Sequence, residues 1–231
     1  MPIRYLLFDL DETLYPRQAG VMKNISRLIR QYMVEYLGLA AEEAGELAHR
    51  YYLQYGTSMR GLILHNNLDA DHFLAYVHDF PLDELTPDGP LGTLLAGLPC
   101  EKVIFTNADQ GHAERVLDRL QVRQYFSRII DVTAVDYFSK PNPEAYAKCL
   151  ELLDASPQEC VLIEDSARNL APAAELGMVT VLVDGDPDAP ADYRVDSVLE
   201  LGPVIAQVCR MRGCRPSTSP HRQDSQTHVA N

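Results

Sequence analysis

The sequence predicts an α/β protein whose core is a doubly wound, Rossmann-like parallel sheet interrupted by an all-helical insertion. Short apolar runs recur along the chain and each ends in polar or acidic residues; they lie at residues 3–10, 103–105, 160–163 and 179–183. Such runs are typical of strands buried on both faces of a parallel sheet. Helical patterns lie between the later runs, which is the alternation expected of βαβ units.

The stretch between the first two runs breaks this alternation. Apolar residues recur there every three or four positions, first over residues 22–37 and again over residues 47–55, which is typical of amphipathic helices. A proline-rich connector at residues 81–90 follows. The insertion is therefore expected to be helical throughout.

These patterns divide the 231 residues into three parts. Residues 1–15 and 86–209 are predicted to form the sheet-containing core, and residues 16–85 a helical cap. Large apolar residues almost vanish beyond that point, so residues 210–231 are predicted to be a disordered tail.

Composition excludes several classes of partner and location. A net charge of -13 disfavours nucleic acid polymers and anionic membranes, because both attract basic surfaces. The five cysteines include no CxxC pair, so neither a zinc ribbon nor a disulfide framework is indicated. No apolar stretch is long enough for a signal peptide or a membrane span, and a reduced cytoplasmic location is expected.

The strongest chemical signal is a pair of carboxylates, Asp9 and Asp11, at the end of the first run. Two acids at one strand end repel each other, which favours a shared proton or a bound cation. One can then act as a nucleophile and the other as a general acid or base. An acidic turn that caps a helix is the alternative interpretation of these two residues taken alone.

Three further elements follow later runs in a fixed order. Thr106 and Asn107 offer a hydroxyl and backbone N–H groups to a phosphoryl oxygen, Lys140 precedes two prolines as a possible phosphate clamp, and Glu164 with Asp165 adds oxygen ligands for Mg²⁺. Singly, each is explained as a turn, a helix cap or a solvated charge. Acid pair, threonine, lysine and second acid pair, at successive strand ends, are hard to explain as caps.

Taken together, these motifs resemble those of the haloacid dehalogenase-like (HAD) hydrolases. Asp9-Leu10-Asp11-Glu12-Thr13 resembles the first motif of that family, Thr106 the second, Lys140 the third and Glu164-Asp165 the fourth. The helical insertion after the first motif is similar to one type of HAD cap domain. The resemblance covers almost the whole chain except the tail.

A narrower resemblance points to the pyrimidine 5′-nucleotidase branch. It rests on the segments around the first motif, in the cap and around the lysine, at residues 8–15, 55–62 and 140–146. This resemblance implies pyrimidine 5′-nucleotides such as UMP and CMP as substrates. A sugar phosphate, pyridoxal phosphate or nicotinamide mononucleotide is the alternative.

The family resemblance implies a two-step phosphomonoester hydrolysis. Asp9 would attack phosphorus to give an aspartyl phosphate, and Asp11 would protonate the leaving alkoxide and then deprotonate the hydrolytic water. Thr106, the N–H of Asn107 and Lys140 would stabilise charge on the transferring phosphoryl group.

The same resemblance implies Mg²⁺ as the cofactor. Asp9 through its carboxylate, Asp11 through its backbone carbonyl and Asp165 would be the protein ligands, because Asp9 must be ionised and Asp11 must carry a proton. Glu164 would hold a metal-bound water from outside the first coordination sphere.

In the cap, Thr57, Arg60 and His65 are candidates for contacts with the leaving group, because this stretch is more polar than the helices around it. The alternative is that Arg60 and His65 are ordinary surface residues. The tyrosine-rich face nearby is interpreted as part of the cap core. The expected partner is a small phosphorylated metabolite, and a monomer and a homodimer both remain open.

Other functions stay in view. A phosphomutase uses the same acid pair. An aspartate-phosphorylated receiver module also gathers acids, a threonine and a lysine around Mg²⁺, but it would be roughly half this length and lack the helical insertion. A catalytically silent metal-binding homologue is the remaining alternative. The glycine-rich strings of dinucleotide-binding and P-loop proteins do not occur.

Overall fold

The computed structural model describes residues 1–87 and 89–215, and within them one sheet of six parallel strands forms the centre of the core. The strands are β1 (Tyr5–Phe8), β2 (Glu101–Phe105), β3 (Arg128–Ile130), β4 (Cys160–Glu164), β5 (Val179–Val183) and β6 (Tyr193–Val195). Their order in space is β3-β2-β1-β4-β5-β6. The order reverses between β1 and β4, and ligands of doubly wound sheets bind in the crevice at such a switch point.

The helices of the described ranges fall into a cap group and a core group. The first group follows β1 directly and consists of α1 (Val21–Leu37), α2 (Ala41–Tyr55), α3 (Ser58–Asn66) and α4 (Ala70–Val77). The second group accompanies the sheet and consists of α5 (Gly89–Gly97), α6 (Gln110–Arg119), α7 (Pro143–Leu153), α8 (Ala167–Leu176) and α9 (Leu201–Arg212).

Strand β1 shows why the central strands are apolar throughout. Leu6 and Phe8 face one side of the sheet, where they join a core built with α5, α6 and α9. Tyr5 and Leu7 face the other side, where they join a core built with α7 and α8. Because helices cover both faces of the sheet, the β1 side chains on both faces are buried. The predicted doubly wound α/β fold class is confirmed.

The cap helices are fixed to the core near the carboxyl ends of the strands. The side-chain oxygens of Thr57, in the cap, and Ser139, in the core, lie 2.9 Å apart. From the start of α8, Arg168 donates hydrogen bonds of 2.6 Å to the carbonyl oxygens of Tyr52 and Leu53. These carbonyls belong to the last turn of α2, where a cation is favoured by the helix dipole.

The sequence prediction starts the disordered tail too early, at residue 210. Helix α9 continues to Arg212, and the backbone beyond it pairs with Ile3: the Ile3 N–H donates to the Gly213 carbonyl at 2.9 Å, and the Arg215 N–H donates to the Ile3 carbonyl at 2.8 Å. The prediction is therefore wrong for residues 210–215. Backbone pairing orders them, which a count of apolar side chains does not detect. Residues 216–231 lie outside the described residues.

A disulfide that the sequence did not indicate joins Cys209 to Cys214. The remaining cysteines, Cys100, Cys149 and Cys160, are free and buried. The disulfide links the last turn of α9 to the segment that pairs with Ile3. Within the part of the chain that the structure describes, no helix combines the length and apolarity needed to cross a bilayer.

Gly56, at the end of α2, allows the cap to approach the core closely. Its φ is +91°, and a Cβ atom there would lie 2.6 Å from the Lys140 carbonyl oxygen and 2.5 Å from Pro141 Cδ. We therefore expect Gly56→Ala to lower the free energy of unfolding by about 2–3 kcal/mol. Urea denaturation at equilibrium measures this loss.

Gly38→Ala is the matched control. Gly38 also has a positive φ, +70°, but nothing lies within 4 Å of its Cβ position. Only backbone strain applies there, so we expect a loss of about 1 kcal/mol. Equal losses in the two variants would contradict a close cap–core approach at Gly56.

Candidate active site

The polar residues that follow the central strands come together beside one cavity of about 510 Å³. Asp9 and Asp11 reach it from the end of β1, Thr106 from the end of β2, and Glu164 and Asp165 from the end of β4. Strands β2, β1 and β4 are neighbours in the sheet, so their carboxyl ends present these side chains to one crevice. The cavity extends from this edge into the cap.

Lys140 lies beneath this cluster, fully buried, and its ammonium group has three acceptors. Nζ donates to Asp9 Oδ1 at 2.8 Å, to Glu164 Oε2 at 2.6 Å and to the Phe105 carbonyl oxygen at 2.8 Å. Three acceptors match the three protons of an ammonium group. Burial alone would lower the pKa of Lys140, but Asp9 and Glu164 outweigh burial and raise it. Lys140 is therefore a permanent cation.

The side chain of Asn107 fixes the backbone of Lys140. Its Nδ2 donates to the Lys140 carbonyl oxygen at 3.0 Å, and its Oδ1 accepts from the Lys140 N–H at 2.7 Å. The amide thus makes a reciprocal pair of hydrogen bonds with the backbone N–H and C=O of one residue, Lys140. The Thr106 hydroxyl also bonds to the backbone, because it accepts a hydrogen bond from the Ala108 N–H at 3.0 Å. Both residues still line the cavity.

The carboxylate of Asp9 is buried between donors and acids. Thr13 Oγ1 donates to its Oδ2 at 3.2 Å, while Lys140 holds its Oδ1. Burial and the nearby charge of Glu164 raise the pKa of Asp9 to about 7, against the lowering effect of Lys140. A positive charge added beside Asp9 would restore its ionised form.

Three carboxylates have the arrangement that a hard cation requires. One oxygen from each of Asp9, Glu164 and Asp165 lies within 4.8 Å of the others. Burial raises the pKa of Glu164 to about 7 and that of Asp165 to about 6, although Lys140 and Arg17 respectively oppose these shifts. Crowded, buried carboxylates of this kind are the oxygen donors that Mg²⁺ prefers. The residues present therefore fit a divalent cation.

The carboxylate of Asp11 turns away from this cluster. Its Oδ1 accepts a hydrogen bond of 2.5 Å from the Tyr15 hydroxyl and lies 2.9 Å from His112 Nε2. Burial would raise the pKa of Asp11, but His112 and Tyr15 outweigh burial and lower it. The sequence prediction missed both partners. Tyr15 was detectable as the next aromatic after the first motif, whereas nothing in the sequence links His112 to Asp11.

On the cap side, the cavity wall is mostly apolar. Ile25, Ile29 and Phe73 line it, as do other residues of α1 and α4. Some apolar residues of α1 that the periodicity predicts to pack in the interior of the cap therefore line the cavity. A second set of lining residues carries polar groups that the sequence prediction missed: Ser26, Arg30, His49, Tyr52 and Arg168.

The three cap residues expected to contact a ligand have different locations. Thr57 lines the cavity, and its hydroxyl also caps α3 by accepting from the Arg60 N–H at 3.1 Å. Arg60 places its guanidinium 4.6 Å from the ring centre of Phe138, and the exposed His65 bonds to Tyr55. The structure does not bring Arg60 and His65 to the cavity wall.

Several characterised proteins are similar in sequence to this chain. Phosphate metabolism protein 8 of Saccharomyces cerevisiae is 28% identical over 78% of this chain, which spans 61% of that protein. Beta-phosphoglucomutase of Bacillus subtilis is 31% identical over 52% of this chain, which spans 55% of that protein. Hexitol phosphatase A of Escherichia coli is 27% identical over 86% of this chain and 91% of that protein.

Solved structures and a family profile extend the comparison. L-2-haloacid dehalogenase of Xanthobacter autotrophicus shares the fold over 90% of this chain and 99% of its own, with a TM-score of 0.59 and 17% identity. An HAD phosphatase from Thermococcus onnurineus covers 93% of this chain, with a TM-score of 0.56 and 20% identity. The profile described as haloacid dehalogenase-like hydrolase matches residues 3–177, more than half of the sequence. The chain therefore belongs to the haloacid dehalogenase-like hydrolase family.

Proposed function

We propose that this protein is a Mg²⁺-dependent phosphomonoester hydrolase that acts through an aspartyl phosphate on Asp9. The observation that carries the proposal is the placement of two carboxylates with opposite surroundings beside one cavity. Asp9 lies in the cluster of three carboxylates and bonds to Lys140, and Asp11 lies two residues away with its own hydrogen-bond donors. Such a pair suits a nucleophile and a separate proton carrier.

The first step transfers the phosphoryl group to Asp9. A carboxylate oxygen of Asp9 forms a bond to phosphorus as the bond from phosphorus to the leaving oxygen breaks, and Asp11 gives its proton to that oxygen. In the second step Asp11 takes a proton from water, which attacks phosphorus and releases phosphate and free Asp9. Mg²⁺ bound by Asp9, Asp165 and the backbone carbonyl of Asp11 would neutralise phosphoryl charge, with Glu164 on a bound water.

The cycle requires Asp11 to be protonated when substrate is bound. In the structure the pKa of Asp11 is lowered, so the resting residue is a carboxylate. A doubly negative phosphoryl group beside it raises that pKa, because like charges disfavour ionisation. Substrate binding therefore favours the protonated form of Asp11 that the first step requires. Thr106 and the N–H of Asn107 would donate to the phosphoryl oxygens, whereas Lys140, whose three protons bond to Asp9, Glu164 and the Phe105 carbonyl oxygen, would stabilise the phosphoryl charge through its own positive charge.

For the substrate, we propose pyrimidine 5′-nucleotides such as UMP and CMP. The support is the resemblance of three segments to the pyrimidine 5′-nucleotidases and a cavity that is large enough for a nucleotide, with apolar walls and polar groups on Thr57, Arg30 and His49. The partner is then a small metabolite in the cytoplasm, with no nucleic acid polymer or membrane. The similarity to beta-phosphoglucomutase makes a phosphomutase the second candidate.

Replacement of the nucleophile tests the reaction. We expect Asp9→Asn to reduce phosphate release at least about 10⁴-fold, because an amide cannot form the covalent intermediate. Phosphate release and a far-UV circular dichroism spectrum together measure the loss and the integrity of the fold. Asp83→Asn is the matched control at an exposed side chain and should retain activity. Strong residual turnover in Asp9→Asn would exclude the aspartyl phosphate route.

The carboxylate cluster predicts a pH-dependent effect of Mg²⁺ on stability. The ordinary pKa values of Asp9 and Glu164 are 3.8 and 4.5, and both rise to about 7 in the fold. Between those values the folded state binds more protons than the unfolded state, so without Mg²⁺ these two groups cost stability as the pH rises. Mg²⁺ binds the deprotonated form and should remove that cost.

We therefore expect Mg²⁺ to raise Tm more at about pH 8 than at about pH 5. Thermal unfolding with and without MgCl₂ at both pH values measures the difference. In Asp165→Asn, which removes one carboxylate of the cluster, the extra stabilisation at high pH should shrink or vanish. An equal Tm increase at both pH values would mean that Mg²⁺ binds elsewhere.

A substrate panel separates the candidate reactions. We expect UMP and CMP to have kcat/KM values at least about tenfold above those of AMP, sugar phosphates, pyridoxal phosphate and nicotinamide mononucleotide. Released phosphate is measured for each compound at equal concentration. Purine nucleotides or sugar phosphates ahead by orders of magnitude would contradict the pyrimidine assignment. Rearranged sugar phosphate without net phosphate release would identify a phosphomutase.

A further inference from the structure

The imidazole of His112 is a buried group beside the reacting residues that the proposed hydrolysis does not use. His112 lies in the first turn of α6 and is 1% exposed. Its Nε2 is 2.9 Å from Asp11 Oδ1, and the ring stacks on His78 with 4.3 Å between the ring centres. A buried polar ring at an active-site carboxylate needs a reason, because apolar side chains fill such space at lower desolvation cost.

The hydrogen-bonding pattern assigns the proton of the His112 ring. Among the described residues, His112 Nδ1 is buried without a hydrogen-bond partner. A proton on Nδ1 would leave a buried donor unsatisfied, whereas a proton on Nε2 points directly at Asp11 Oδ1. His112 Nε2 therefore donates a hydrogen bond to Asp11 Oδ1.

Asp11 Oδ1 then has two donors, because the Tyr15 hydroxyl donates to the same atom at 2.5 Å. A carboxylate oxygen has two lone pairs, and both are occupied. A proton that arrives at Asp11 consequently has room on Oδ2 and not on Oδ1. Without these donors the carboxyl group can turn about its last bond and exchange the two oxygens.

The surroundings hold the His112 ring in place from two directions. His78 stacks on it and bonds through Nδ1 to the carboxylate of Asp109. Asp109 also caps α6 by accepting a hydrogen bond of 2.9 Å from the His112 N–H. His78 follows α4 on the chain segment that returns from the cap, and Tyr15 precedes the cap. The position of Asp11 therefore depends on both cap connections.

We propose that His112 is a positioning residue for phosphoryl transfer: together with Tyr15 it occupies Asp11 Oδ1 and confines the transferable proton to Asp11 Oδ2. The inference rests on the hydrolase function proposed above, in which Asp11 is the acid and then the base. In the first step the Oδ2 proton moves to the leaving oxygen as the bond from phosphorus to that oxygen breaks. In the second step a water proton returns to Oδ2 as water attacks phosphorus and Asp9 is released.

Para-nitrophenyl phosphate separates this role from a structural one. Its leaving group departs without a proton, so Asp11 is needed only in the second step. We expect His112→Leu to release the first equivalent of para-nitrophenolate at nearly the wild-type rate and then to turn over about a hundredfold more slowly. The resulting burst reports accumulated phosphoenzyme. With an alkyl phosphomonoester, which needs the acid in the first step, the same variant should show no burst and a similar loss of kcat.

Conservative variants and a distant histidine complete the experiment. The amide of His112→Gln can donate to Asp11 and should recover most of the lost rate, whereas Tyr15→Phe should share the burst behaviour of His112→Leu. The control is His72→Leu, which removes a cap histidine that bonds to Tyr32 at 3.0 Å and leaves the first and second steps unchanged. Thermal unfolding of each variant measures any change in the fold.

Three results would overturn the role of His112. In the first, His112→Leu slows the release of the first equivalent of para-nitrophenolate as much as it slows the later turnover. In the second, His112→Gln is as slow as His112→Leu. In the third, both variants have wild-type kinetics. Failure of the hydrolase function itself would be seen separately, as turnover that persists in Asp9→Asn or as absent phosphate release from the wild-type protein.

Discussion

One buried ammonium group organises the active-site end of this protein. Lys140 bonds to Asp9, which follows β1, and to Glu164, the last residue of the neighbouring strand β4, and all three groups are withdrawn from water. Removing a charge from water costs several kcal/mol, and loss of one partner would leave the others buried and unpaired. The three side chains therefore depend on one another. The amide of Asn107 fixes the Lys140 backbone, and Gly56 brings the cap against the same loop.

The same arrangement would reconcile the acidic composition of this protein with the anionic substrate proposed for it. The chain has a net charge of -13, and three further carboxylates surround the cavity floor. We expect a large polyanion to interact with that surface as a whole and to be repelled. A single phosphoryl group would experience mainly the local electrostatic potential. Lys140, the strand-end N–H groups and a bound cation would make that potential positive. The proposed preference for a small anion over a large one thus depends on the distance over which each charge acts.

Local sequence patterns predicted the parts of the site that local structure determines. Asp9, Thr106 and Glu164 were found because each directly follows or ends a buried apolar run, and the parallel sheet aligns those ends. His112 is 101 residues from Asp11, and only the packed fold shows their contact. Arg60 was expected in the pocket because its segment is polar, but the orientation of α3 directs it to Phe138. A polar segment indicates that its side chains are exposed or bind a partner, but it does not indicate which way each side chain points.

The pairing of Ile3 with Cys214 brings the two ends of the described chain side by side. It lies before the start of β1, at the amino edge of the sheet, whereas the cavity lies at the carboxyl edge. A peptide that connects residues 1 and 215 directly would therefore lie at the edge of the sheet opposite the candidate active site. Adjacent ends also suit circular permutation, since a short peptide can connect them and leave the strand order intact. The junction of a permuted chain would thus lie one strand length away from the candidate active site.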